Sequence, residues 1–112
     1  MSTSDRQWVF LQDVSKLINK AVELGIKLTA GETYRTEEQQ QLYVDKGLSK
    51  TLDSQHRKRL AIDFNFFTTD GSLSYDKQYV QPLGDYWESL RDGNEWGGNW
   101  DSFLDVPHFQ AK

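Results

Sequence analysis

Leu60-Ala-Ile-Asp-Phe-Asn-Phe-Phe67 is the stretch on which the fold turns. A short apolar and aromatic run, entered from the polar, aperiodic segment 48–58, predicts a central β-strand preceded by a loop. Side chains of a strand alternate between its faces, so Leu60, Ile62, Phe64 and Phe66 share one side and Ala61, Asp63 and Asn65 the other. Asp63 therefore lies opposite the apolar face. A carboxylate in so apolar a strand is costly to bury unless it pairs with a cation or a metal. Arg57, Lys58 and Arg59 stand just upstream, so a salt bridge and a metal both account for Asp63 at this point.

Upstream of the strand, Val14, Leu17, Ile18, Ala21 and Val22 recur at helical spacing after Ser4-Asp-Arg-Gln7, which has the form of a capping box. This predicts a helix from Ser4 to Leu24, stopped at Gly25. Ile26-Lys-Leu28 alternates as a short strand and leads into a turn at Gly31-Glu-Thr-Tyr-Arg35. Thr36-Glu-Glu-Gln39 is a second capping box, opening a helix that ends at Gly47. Downstream, Asp70-Gly71 marks a turn, 79–90 reads as a helix despite Pro82 and Gly84, and Gly97-Gly98 forces a tight bend between two tryptophans. Pro107-His-Phe-Gln110 is a last short extended segment. Helices alternating with strands in this order predict an α+β domain, a small sheet backed by helices.

One domain over residues 1–112 is what this length supports, and four tryptophans add bulk to its core without disulfide staples. The net charge of −4 provides no broad basic field, so neither nucleic acid nor an anionic membrane surface is expected as a partner. The absence of cysteine excludes thiolate metal sites, disulfides and a thiol nucleophile. Any metal must then be held by nitrogen and oxygen. The first residues lack the basic-then-apolar pattern of a secretory signal, and no run of about 18 apolar residues occurs. No signal peptide and no membrane span are expected.

The chain has two histidines, each with a carboxylate at short spacing: His56 precedes Asp63 by seven residues, and Asp105 precedes His108 by three. Two neutral imidazoles and one carboxylate form a ligand set that catalytic zinc accepts, with a fourth position left for water. The competing reading is a metal-free His56–Asp63 pair, because carboxylates stand near histidines by chance in a chain with 17 acidic residues.

Taken together, Ser54-Gln-His56, Ala61-Ile-Asp63, Trp96-Gly-Gly-Asn-Trp100 and Asp105-Val-Pro-His108-Phe resemble the VanY-like, or M15, zinc peptidases. That group holds D-alanyl-D-alanine carboxypeptidases and L-alanyl-D-glutamate endopeptidases, and the likeness is greatest to small phage and prophage endolysins. It extends to Tyr34-Arg35, Gln40 and Gly47 and so covers the chain from about residue 25 onward. It implies a Hedgehog/DD-peptidase-like single domain with an antiparallel sheet, Zn2+ held by His56, Asp63 and His108, and Asp105 as catalytic base. Were Asp105 not the base, Glu95 or Asp101 would be the next candidates. Two departures stand out: Arg59 occupies a position where many relatives have glycine, and the loop from Gly47 to Ser54 is short.

The activity so implied is hydrolysis of a peptide bond in bacterial peptidoglycan stem peptide: L-Ala–D-Glu endopeptidase first, D-Ala-D-Ala carboxypeptidase or a catalytically silent zinc-stabilised module as alternatives. Arg35 either grips a substrate carboxylate or the oxyanion, or packs on Tyr34 as a surface arginine. The resemblance implies that Gln40 and Ser54 help order substrate, against the reading of a solvated helix Gln and a capping loop Ser, and Trp96 with Trp100 either wall the cleft or join the core. A monomer, made in the host cytoplasm and released to the wall, completes the expectation.

Overall fold

A computed structural model describes residues 1–112, and its central element is the strand that the sequence singles out. Helix α1 (Thr3–Leu24) leads into strand β1 (Lys27–Ala30), then helix α2 (Glu37–Asp45), one 3₁₀ turn (Gln55–Lys58) and strand β2 (Ala61–Phe67). Helix α3 (Lys77–Leu90), strand β3 (Glu95–Trp96), a second 3₁₀ turn (Gly97–Asn99) and strand β4 (His108–Gln110) complete the chain. The sheet order is β1-β2-β4-β3, antiparallel throughout. The α+β architecture with an antiparallel sheet is as expected, with β3 as an additional two-residue edge strand.

Local chemistry sets the element ends. The first helix starts earlier than Ser4: Ser2 is the cap, its Oγ accepting the Asp5 amide at 3.1 Å while the Asp5 carboxylate accepts the Ser2 amide at 3.3 Å. The box at Ser4–Gln7 is thereby corrected to Ser2–Asp5, because acidic Asp5 is the better acceptor at a helix N-terminus. Gly25 closes the helix in the left-handed conformation, φ 75°, and Ile26 donates back to the Ala21 carbonyl at 2.9 Å. Thr36 caps α2 as expected, accepting the Gln39 amide at 3.1 Å.

The core lies between one face of the sheet and helices α1 and α3. Leu60, Ile62, Phe64 and Phe66 meet Phe10, Val14 and Leu17 of α1 and Val80, Leu83 and Trp87 of α3. Phe109 of β4 is fully buried among Phe64, Phe66, Trp87 and Trp96. Burying each such side chain contributes about 1.5–3 kcal/mol. Gly84 within α3 has a packing reason: a Cβ there would lie 2.0 Å from the Trp96 ring, and one at Gly98 would lie 2.1 Å from its other edge. The two glycines let one indole seat flat between helix and turn. No helix is long and apolar enough to cross a membrane.

Candidate metal centre and cleft

The face of the sheet opposite the core carries the candidate site. Strand β4 alternates as β2 does, so Phe109 enters the core and His108 points the other way. The register pairs Asp63 with His108, which puts their side chains side by side on that open face. His56 arrives from the 3₁₀ turn, where Ser54 Oγ accepts the His56 amide at 3.2 Å and Arg59 closes the turn in the left-handed region, φ 58°.

Three atoms converge there. His56 Nε2 lies 3.2 Å from His108 Nδ1, and Asp63 Oδ1 lies 3.3 Å from the first and 3.2 Å from the second. Ligands about 2.0–2.1 Å from a tetrahedral zinc stand about 3.3–3.4 Å apart, so this triangle has the span a metal requires.

The outer partners of the imidazoles decide what the triangle can hold. His56 Nδ1 lies 2.9 Å from the Thr33 carbonyl, which can only accept, so its proton sits on Nδ1 and its lone pair on Nε2. His108 Nε2 lies 2.7 Å from Gln110 Oε1, which places its proton outward and its lone pair on Nδ1. With both imidazoles neutral, three acceptors face one another without a donor. A cation at the centre removes that conflict, and the His56–Asp63–His108 group fits a divalent metal.

The surroundings favour positive charge at the triangle, whether as protons on the inner ring nitrogens or as a cation in their place. Burial pushes the Asp63 carboxyl up, but hydrogen bonds from His108 and His56 and their charges outweigh it and hold it well below the usual carboxylate range. Burial pushes His108 down, and the carboxylate of Asp63 with the Gln110 contact more than reverses it, so its imidazole is held above the ordinary histidine value. The alternative of a salt bridge from the upstream cations is overturned: Arg57 reaches Glu37, Lys58 reaches Asp53, and Arg59 lies over the Tyr34 ring at 4.0 Å.

The triangle opens into a cleft of about 530 Å³ lined by Arg35, His56, Trp100, Asp105 and His108 among other residues. Asp105 is raised above the usual carboxylate range, first by burial and then by the charge of Asp63, against the opposing charges of His108, His56 and Arg35. Its backbone is seated on Gly97: a Cβ there would meet the Asp105 carbonyl at 2.2 Å. The Asp105 carbonyl also accepts the His108 amide at 3.1 Å, so base candidate and imidazole share one turn.

Not every expected residue faces this cleft. Trp96 is core, stacked on Phe109 with Nε1 donating to the Val106 carbonyl at 2.7 Å; the cleft wall is Trp100, whose ring lies 5.2 Å from His108. The reason is the glycine pair that makes room for one indole and not the other. Gln40 is fully buried with its amide spent on protein, so direct substrate contact is replaced by a hold on Arg35, Nη1 donating to Gln40 Oε1 at 2.9 Å. Ser54 does line the cleft, as the cap of the His56 turn. Arg35 lines it too, stacked on Tyr43 and not on Tyr34. Glu95, the reserve base, lines the cleft but accepts Trp100 Nε1 at 3.0 Å, and Asp101 is exposed.

Gln110, Thr33 and Glu32 do not emerge from the motifs. Gln110 was within reach of strand periodicity, being two residues beyond His108 on the same face. The Thr33 carbonyl and the Glu32 carboxylate carry no sequence signal, since their roles depend on how the turn after β1 folds back over the His56 segment.

Comparison with known proteins agrees with this geometry. The family model described as D-alanyl-D-alanine carboxypeptidase, of the peptidase M15 group, matches residues 47–111. The L-alanyl-D-glutamate peptidase of Listeria phage A118 is 39% identical over 101 residues, 85% of this chain, which spans 34% of that longer relative. The peptidoglycan L-alanyl-D-glutamate endopeptidase CwlK of Bacillus subtilis is 32% identical, with 96% of this chain and 74% of CwlK aligned. The crystal structure of the Serratia marcescens L-Ala D-Glu endopeptidase ChiX superposes with a TM-score of 0.72 at 26% identity, over 90% of this chain and 79% of ChiX. The family model covers the three residues of the triangle and Asp105, CwlK aligns over 96% of the chain, and the chain belongs to the peptidase M15 family.

Proposed function

We propose that the chain is a zinc-dependent endopeptidase that hydrolyses the L-Ala–D-Glu bond of peptidoglycan stem peptide. The observation that carries the reading is the triangle of His56, Asp63 and His108 acceptors beside Asp105 and Arg35 in one cleft. Relatives named for that bond support the choice of substrate.

In this reading His56 Nε2, Asp63 Oδ1 and His108 Nδ1 would hold Zn2+, which would supply Lewis acidity and make water a stronger acid. Asp105 removes a proton from the attacking water and returns it to the departing amine. Its raised affinity for protons suits both steps, because a base works best when its pKa approaches the working pH. Arg35 meets a substrate carboxylate or the developing oxyanion with directed N–H donors. Asp63 stays ionised throughout. The protein acts on the wall as a monomer, after synthesis in the host cytoplasm.

Digestion of purified peptidoglycan followed by mass spectrometry tests this. New amino-terminal D-Glu, abolished by a chelator and restored by zinc, is the expected result. Release of free D-Ala would replace the endopeptidase with the carboxypeptidase that the family description names. Bound zinc without any released fragment would leave a silent wall-associated module.

A further inference from the structure

Arg35 is held from three sides by residues that do not themselves line the cleft. Its Nε donates to Glu32 Oε1 at 2.8 Å, its Nη1 to Gln40 Oε1 at 2.9 Å, and the Tyr43 ring lies 4.5 Å from the guanidinium carbon. The supports are themselves held: Tyr43 donates its O–H to Glu32 Oε2 at 2.6 Å, and Gln40 Nε2 donates to Ser49 Oγ at 2.8 Å and to the Thr51 carbonyl at 2.6 Å. Nε and one edge of the fork are thus committed, and Nη2 is the nitrogen left for the cleft.

Glu32 stands at the centre of this arrangement. Two donors, Arg35 Nε–H and Tyr43 O–H, converge on its two oxygens, a pattern that a carboxylate satisfies and an amide cannot, since an amide has one acceptor oxygen. Its main chain does a second task. The Glu32 carbonyl accepts the Asp63 amide at 2.8 Å, and the Gly31 amide donates to the Asp63 carbonyl at 2.7 Å. One short segment therefore fixes the guanidinium through a side chain and the strand carboxylate through its backbone.

We propose that Glu32 is a positioning residue for the hydrolysis, one that aims Arg35 at the substrate with Gln40 and Tyr43 as its supports. The proposal rests on the reading in which Arg35 meets substrate. Misplacing a binding group by about 1 Å can cost on the order of 100-fold in rate, which sets the scale of the effect.

The test uses the full-length, metal-loaded protein with a purified stem peptide, comparing wild type, Glu32→Gln, Tyr43→Phe, Arg35→Ala and the Glu32→Gln/Arg35→Ala double variant. Metal content and Tm are measured alongside. The expected result is that Glu32→Gln lowers kcat/KM by roughly 10- to 100-fold at unchanged metal content, and Tyr43→Phe less in the same direction. In the Arg35→Ala background Glu32→Gln should cost less than about 2-fold more, because its effect passes through the guanidinium. A second readout needs no turnover: the Arg35 Nε–H proton resonance, slow to exchange with water in the wild type, should exchange rapidly in Glu32→Gln. Equal losses with and without Arg35, or an unaltered Nε–H resonance, would overturn the proposal. Loss in Arg35→Ala with none in Glu32→Gln would overturn it while leaving the role of Arg35 intact. An inactive wild type would instead sink the functional reading, with the resonance still deciding whether Glu32 holds Arg35.

Discussion

Asp63 and His108 are direct partners across strands β2 and β4, and their side chains approach to 3.2 Å between Oδ1 and Nδ1. This one register brings together residues 45 positions apart, and a slip of a single residue would turn His108 into the core and Phe109 out. His56 then needs only its capped turn to complete the triangle.

Zinc should bind near one equivalent and raise Tm. Saturation at 100 times Kd stabilises by about 2.7 kcal/mol when the unfolded chain does not bind. Asp63→Asn and His108→Ala should abolish both the stoichiometry, read by elemental analysis, and the rise in Tm. Full metal content in His108→Ala would place the metal elsewhere.

Gln110 sets the tautomer of His108 through its 2.7 Å contact, so Gln110→Ala should weaken zinc about 10- to 100-fold while leaving the fold intact. Competition with a chromogenic chelator measures this. Unchanged affinity would mean that the imidazole is oriented by Asp63 and packing alone.

Asp105→Asn should retain zinc and the cleft yet lose about 10²- to 10⁴-fold in kcat, the usual contribution of a positioned acid–base group. Steady-state hydrolysis with parallel metal analysis separates the two effects. Retained turnover would transfer the role to Glu95, which already lines the same cleft.

Asp13 offers a pH test remote from the cleft. It is buried on α1 and accepts Arg91 Nε at 2.9 Å, Arg91 Nη2 at 3.0 Å and Asn94 Nδ2 at 3.2 Å. Burial pushes its carboxyl up, but these hydrogen bonds and the Arg91 charge leave it below the ordinary value. A folded-state value below the unfolded one contributes stability that is present above about pH 4 and disappears as the pH falls through the folded value. Urea unfolding from pH 6 downward should therefore show the wild type losing an advantage over Asp13→Asn. Arg91→Ala should lower stability near neutrality, because it leaves a buried carboxylate that Asn94 alone cannot compensate. The reverse truncation leaves an arginine that water can reach.

Alternation in Leu60-Ala-Ile-Asp-Phe-Asn-Phe-Phe67, the stripe on α1, the cap at Thr36 and the glycine stops all express rules that act within a few residues. The central strand, the three helices and the outward placement of Asp63 were accordingly readable, and the candidate ligand set came from donor chemistry together with a family resemblance. Only the tertiary structure decided what depends on contacts between distant segments: the Asp63–His108 register, the burial of Trp96 between Gly84 and Gly98, the diversion of Arg57, Lys58 and Arg59 away from Asp63, and the clamp of Glu32 on Arg35. The physical reason is that spacing along a chain constrains a side chain's direction only while the backbone is regular, whereas its partner is chosen where separate elements pack.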